Sequence, residues 1–337
     1  PGTITNAPGV TTALQSCAMN GPLVNDGTLV LTGSGSVGGA FTSGAGSILR
    51  LQGNNNVGPV SQTFASGFTN NGTIELVSTG STWPVTLNVT TGTLVNAATG
   101  TIDVQAGSGG TRALGAQLDN QGTLTVGTPL TLSRNNAAHL NSGTIDVTGG
   151  DLTLTLTGAG GSFTNTNALN IGVGRTLTVN SGTFNHNGGS LAGGGALAFG
   201  SSSTGNLVAA FTVSALSATS ATVNLTSNYT TTTPLTGANS TFNGPGTITN
   251  APGVTTTLQS CAMNGPLVND GTLVLTGSGS VGGAFTSGAG SILRVQGNNS
   301  VGPVSQIFAG GFTNNGTIEL VSTGSSWQVT LNVTAGT

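Results

Sequence analysis

Short stretches in which apolar and polar residues alternate recur along the chain: Leu124-Thr125-Val126, Ile145-Asp146-Val147, Ile74-Glu75-Leu76 and Leu177-Thr178-Val179. A period of two is the mark of a strand with one buried face. Most of these stretches follow a Gly-Thr pair, often preceded by Asn: NDGTLVL at 25–31, NNGTIEL at 70–76, ATGTIDV at 98–104, NQGTLTV at 120–126 and NSGTIDV at 141–147, with weaker copies NTNALNI at 165–171 and GRTLTV at 174–179. The glycines at 27, 46, 72, 100, 122 and 143 are spaced by 19, 26, 28, 22 and 21 residues. Internal similarity at such a period is the signature of a solenoid. Thr and Val suit a pleated surface, and the Gly, Asn and Ser clusters between strands suit turns. The Ala-rich run 208–225 is the one candidate for a helix, and its β-branched residues favour strand there too.

A flat sheet of so many short strands would leave long open edges, whereas coiling them lets each turn cover the edge of the next. The expected fold is therefore all-β, a parallel β-helix of about 20–28 residues per coil. In it Asn25, Asn70, Asn120 and Asn141, each followed two residues later by Gly27, Gly72, Gly122 or Gly143, are candidates for structural rungs. If those asparagines share one inward turn, their amides can bond along the axis as a ladder. Ordinary Asx-turns are the other reading.

A longer repeat is superimposed on the short one. Residues 245–337 reproduce 1–93 with 85 of 93 positions identical, a period of 244. The expected organisation is one full long repeat at 1–244 and the start of the next at 245–337, with no separate globular domain. This predicts a longer natural polypeptide continuing in both directions, and no signal segment opens the chain at Pro1-Gly2-Thr3.

Composition narrows the function classes. Hydrophobic residues make up 35% and the net charge is only −3, which argues against disorder. Charged residues make up 4% of the chain against a norm of about 25%. Lysine is absent and the five arginines, 50, 112, 134, 175 and 294, are scattered, so nucleic-acid binding is not expected. No apolar run reaches the roughly 18 residues of a transmembrane segment. Cys17 and Cys261 occupy equivalent positions of the long repeat, about ten coils or some 50 Å apart, far beyond the roughly 7 Å that a disulfide spans. They read as buried small hydrophobes or as candidates for an intermolecular disulfide.

The motifs N-x-G-T-[IL]-x-[VL], GPGTITNAPG, FTNNGTIELVSTG, LDNQGTLTVGTPL and NSGTIDVTGGDLTL resemble very large bacterial surface proteins of the β-strand-repeat and haemagglutinin or autotransporter-passenger type. The resemblance covers essentially the whole chain and implies secretion and an extracellular or cell-surface location. It is specific for architecture and weak for function.

Polysaccharide-cleaving β-helices need clustered carboxylates with Arg or Lys. The eight acids here are dispersed; Glu75, Asp103 and Asp146 share an outward strand position where they would stack, and Arg50 lies one coil before Glu75. They read as solvated residues first and as a cation or sugar site second. His139 and His186 are single and read as surface or turn residues. Trp83 and Trp327 suit packing better than sugar stacking. The run Thr153, Thr155, Thr157 reads as one Thr-rich strand rather than an ice-binding face. No catalytic, cofactor or metal residues are assigned, and the chain is not expected to be an enzyme. The expected function is a structural extracellular fibre, stalk or adhesin shaft that associates with itself, aided by low charge. The alternative is a carbohydrate-binding or polysaccharide-cleaving β-helix, with surface polysaccharide as partner.

Overall fold

The alternation read from the sequence becomes strands of two to twelve residues, with no helix among the described residues. The structure, a computed structural model, describes residues 2–336. Contacts divide the chain into two units, Pro1–Gly182 and Thr183–Thr337. The second copy of the long repeat lies within the second unit.

In the unit Pro1–Gly182, equivalent strands of successive coils pair in parallel. Thr28–Thr32 pairs with Ile48–Gly53, that with Thr73–Ser78, then Thr101–Val104, Thr123–Val126, Thr144–Val147 and Ala168–Ile171. Register places Leu29, Leu49, Ile74, Ile102, Leu124, Ile145 and Leu169 in one inward column, every one at most 1% exposed. A fully buried aliphatic side chain contributes about 1.5–3 kcal/mol, so a coil is held by its neighbours more than by itself. Phe41, Phe64 and Phe68 fill a wider part of this core edge to face, at centroid distances of 4.8–5.0 Å.

The unit Thr183–Thr337 is built the same way. Thr222–Leu225 pairs with Thr241–Asn243, Ile248–Asn250 with Leu267–Asn269, and Thr272–Thr276 with Ile292–Gly297, all parallel. Its copy of the phenylalanine cluster is Phe285, Phe308 and Phe312. The run 208–225 forms strands Thr212–Thr219 and Thr222–Leu225, the strand reading of that segment.

Coil length is uneven. The step is 18 residues from Leu23 to Phe41 and 28 from Ile74 to Ile102, so the range reaches slightly below the expected 20. Longer coils carry projecting loops. Arg112 explains how one pair of loops is held: it points inward, 1% exposed, and its guanidinium donates to the carbonyls of Leu76, Trp83, Gln105, Gly109 and Thr111 at 3.1–3.3 Å. Burial lowers its pKa, and backbone oxygens take the place of a carboxylate partner.

Candidate functional site

The asparagines ahead of Gly-Thr all face inward at one turn. Asn25, Asn70, Asn120 and Asn141 are 0% exposed, as are Asn96 in the coil between Asn70 and Asn120 and Asn165 in the coil after Asn141. Nδ2 of Asn70 donates to Oδ1 of Asn96 at 2.9 Å, Asn96 to Asn120 at 2.8 Å, Asn120 to Asn141 at 2.7 Å and Asn141 to Asn165 at 2.6 Å. Each amide also donates to a backbone carbonyl of the next coil: Asn70 to Thr101, Asn96 to Thr123, Asn120 to Thr144. Those threonines are the Thr of the Gly-Thr pair. The spacing of the motif thus joins an amide in one coil to the chain of the next, and both amide hydrogens are satisfied without water.

One rung is a serine. Ser43 replaces Asn between Asn25 and Asn70; its hydroxyl donates to Oδ1 of Asn70 at 3.1 Å while Asn25 reaches the Ile48 carbonyl at 3.0 Å. The second unit repeats this with Ser287 to Asn314 at 2.8 Å and Asn269 to the Ile292 carbonyl at 3.0 Å, and Asn250 bonds Asn269 at 2.8 Å as Asn6 bonds Asn25 at 2.7 Å. Asn96 lies four residues before Gly100, so the motif spacing that flags Asn70 and Asn120 misses it; its register with them is the signal.

The glycines beside the ladder serve close approach. Gly27, Gly72, Gly122 and Gly143 have no left-handed backbone, yet a Cβ on any of them would collide with backbone oxygens, those of Ala7 and Val10, Ser47, Gly100 and Ala97, and Gly122 respectively. Gly46 is different: its φ is 76° and nothing surrounds it, so there the turn conformation is the reason for glycine.

On the outer surface the second unit carries a separate amide row. Asn206 donates to Asn185, Asn224 to Asn206, Asn243 to Asn224 and Asn264 to Asn243, all at 2.7–2.8 Å. Its donors point toward the N-terminal side, opposite to the buried ladder. In the first unit Thr131, Thr153 and Thr178 stand in one outward column and Ser133, Thr155 and Asn180 in the next. The Thr-rich run therefore belongs to a short polar array.

The charged residues are dispersed as rung partners. Arg50 and Glu75 stand in register with Nε and Oε2 2.5 Å apart, and Arg294 repeats this with Glu319 at 2.6 Å. Glu75 is buried at 9% rather than solvated as its outward strand position suggested, with Arg50 as its cover, whereas Glu319 is partly exposed. Asp103 is the register neighbour of Glu75, while Thr125 separates it from Asp146. Asp103 accepts from Gln105 and Asp146 from Asn170. Among the described residues no group of three or more His, Cys, Asp or Glu side chains could hold a metal.

The histidines correct the sequence reading. His139 is 2% exposed and His186 0%, both inward on strands rather than on surface or turns. His139 stands in register with Phe163 and its ring lies 6.4 Å from that phenyl. Trp83 packs against Gly58 and donates from Nε1 to Asn55 Oδ1 at 3.1 Å, as Trp327 does to Asn299. Cys17 is exposed, Cys261 is buried at 5%, and both are free thiols; burial pushes the Cys261 thiol up.

A cleft of about 530 Å³ in the second unit is lined by Phe211, Ser214, Asn228, Tyr229, Thr230 and Thr232 among others. Phe211 and Tyr229 stack at 5.0 Å and are at most 6% exposed, and Ala210 and Val213 line the cleft beside the polar side chains. No family model matches the chain, and no curated protein or solved structure is significantly similar to it.

Proposed function

We propose that this chain is a structural element, a stretch of an extracellular shaft or fibre of a bacterial surface protein that associates with further copies of itself. The observation that carries this reading is the ladder: buried asparagines bond coil to coil in a direction set by the axis, and the part of it inside the duplicated segment, Asn6 to Asn25 and Ser43 to Asn70, recurs as Asn250 to Asn269 and Ser287 to Asn314. Such bonding ties one coil to the next and makes a unit extensible by simple repetition. The outer columns of Thr, Ser and Asn keep the surface polar with little charge, which lowers the repulsion between neighbouring rods. Electron microscopy of purified protein tests it. Stiff rods that align side by side or end to end are the expected outcome, and dispersed particles at every concentration and salt tried would exclude the fibre.

The cleft beside Phe211 and Tyr229 favours a second reading, carbohydrate binding, because a largely apolar hollow there carries the polar side chains of Ser214, Asn228, Thr230 and Thr232. Glycan-array binding that is lost in Asn228→Ala with Thr230→Val would support it over the shaft.

A further inference from the structure

His139 is a buried base that the ladder does not use. It lies on strand Ala138–Asn141, two residues before the rung Asn141, and the backbone N–H of Leu118 donates to its Nδ1 at 3.2 Å. Its Nε2 is buried without a partner. The neutral ring therefore keeps its proton on Nε2 and presents a lone pair to Leu118. A second proton has only Nδ1 to occupy, and there it would meet the Leu118 N–H donor to donor, breaking that bond.

No acid faces the ring to offset the new charge. Strand Arg112–Asn120 carries Arg112, whose guanidinium is taken by carbonyls, and Asp119, which alternation turns to the outer side, where it accepts from Gln121. Strand Ser162–Asn165 brings Phe163 and no titratable group. Arg134, in the turn before the histidine, is itself a cation.

We propose that protonation of His139 makes the seam between strands Arg112–Asn120 and Ala138–Asn141 the coil junction that opens first in acid, a built-in breaking point of the solenoid. Desolvation, with the Arg134 charge adding to it, holds the His139 imidazole at about 4, against the usual 6.5. Its folded value is depressed, so its contribution is intact above about pH 6.5 and is lost as pH falls toward 4. The 2.5-unit difference allows the opened population to rise at most about 300-fold, and roughly 80-fold by pH 4.5. His186 differs: its Nε2 already faces the Ala210 carbonyl at 3.1 Å, an acceptor that tolerates a proton.

Hydrogen exchange tests this, with protection in these two strands read against strand Thr28–Thr32 of the same unit at pH 8 and pH 4.5. Wild type is expected to lose protection at the seam roughly 80-fold at pH 4.5 while the reference strand holds. His139→Phe, which copies the residue at the same rung of the next coil, and His139→Leu are both expected to keep the seam closed. Absence of a seam-specific loss in wild type, or the same loss in both variants, overturns the proposal. So does an imidazole that titrates near 6.5 by NMR with protection unchanged.

Discussion

Asn120 shows how much one residue carries. It is fully buried, takes a hydrogen bond from Asn96 and gives its own to Asn141 and to the Thr144 carbonyl. Replacing it with alanine takes the partner from the Asn141 acceptor in a dry turn and leaves the Asn96 amide only the Gly100 carbonyl, at 3.3 Å, beside that of Thr123. Such a loss costs about 1–3 kcal/mol, so Asn120→Ala is expected to destabilise the unit by about 3 kcal/mol, read as a lower urea midpoint. An equal loss in Thr125→Ala, at an outward position of the next strand, would show that the ladder is not the cause. This residue was visible in the sequence because its motif repeats. The histidines were not: a lone His on a polar-looking stretch gives no sign of facing inward until register sets it opposite Phe163.

At the level of the element, the Gly-Thr turn is a packing joint. Gly143 has an ordinary backbone, but a Cβ there would press on the Gly122 carbonyl of the coil before. Overpacking of this kind costs about 1–3 kcal/mol, so Gly143→Ala should lower the melting temperature clearly. Gly46→Ala serves as the contrast, since only its left-handed φ opposes a side chain, at about 1 kcal/mol. Similar losses for both would mean that the coils are looser than the structure shows. The sequence pattern located these glycines but could not separate the two reasons, because close approach is a property of the neighbouring coil. Arg112 was hidden likewise: nothing beside it in sequence announces the five carbonyls that surround it.

Across the whole molecule, the long repeat is a natural experiment in context. Ile74 and Leu76 are 0% exposed beneath strand Thr101–Val104, and Leu29 and Leu273, equivalent positions of the two copies, are both 0% exposed. Burial of a strand is completed by the coils on either side of it, which is why strand positions and fold class were legible in the sequence while individual burial was not. The cysteines turn this into a measurement. Cys261 is expected to react with a thiol reagent on the order of 100-fold more slowly in the folded protein than in urea, because it is protonated and covered until the unit opens. Equal rates would mean that the coil over Cys261 does not stay in place. The asparagine row has a last implication for assembly of the chain itself. Side chains change face with every residue, so a turn laid down one position late would bring its amide to the water side and leave the preceding rung with nothing to grip. Each turn therefore checks the alignment of its successor, and a mistake stops at the coil where it occurs.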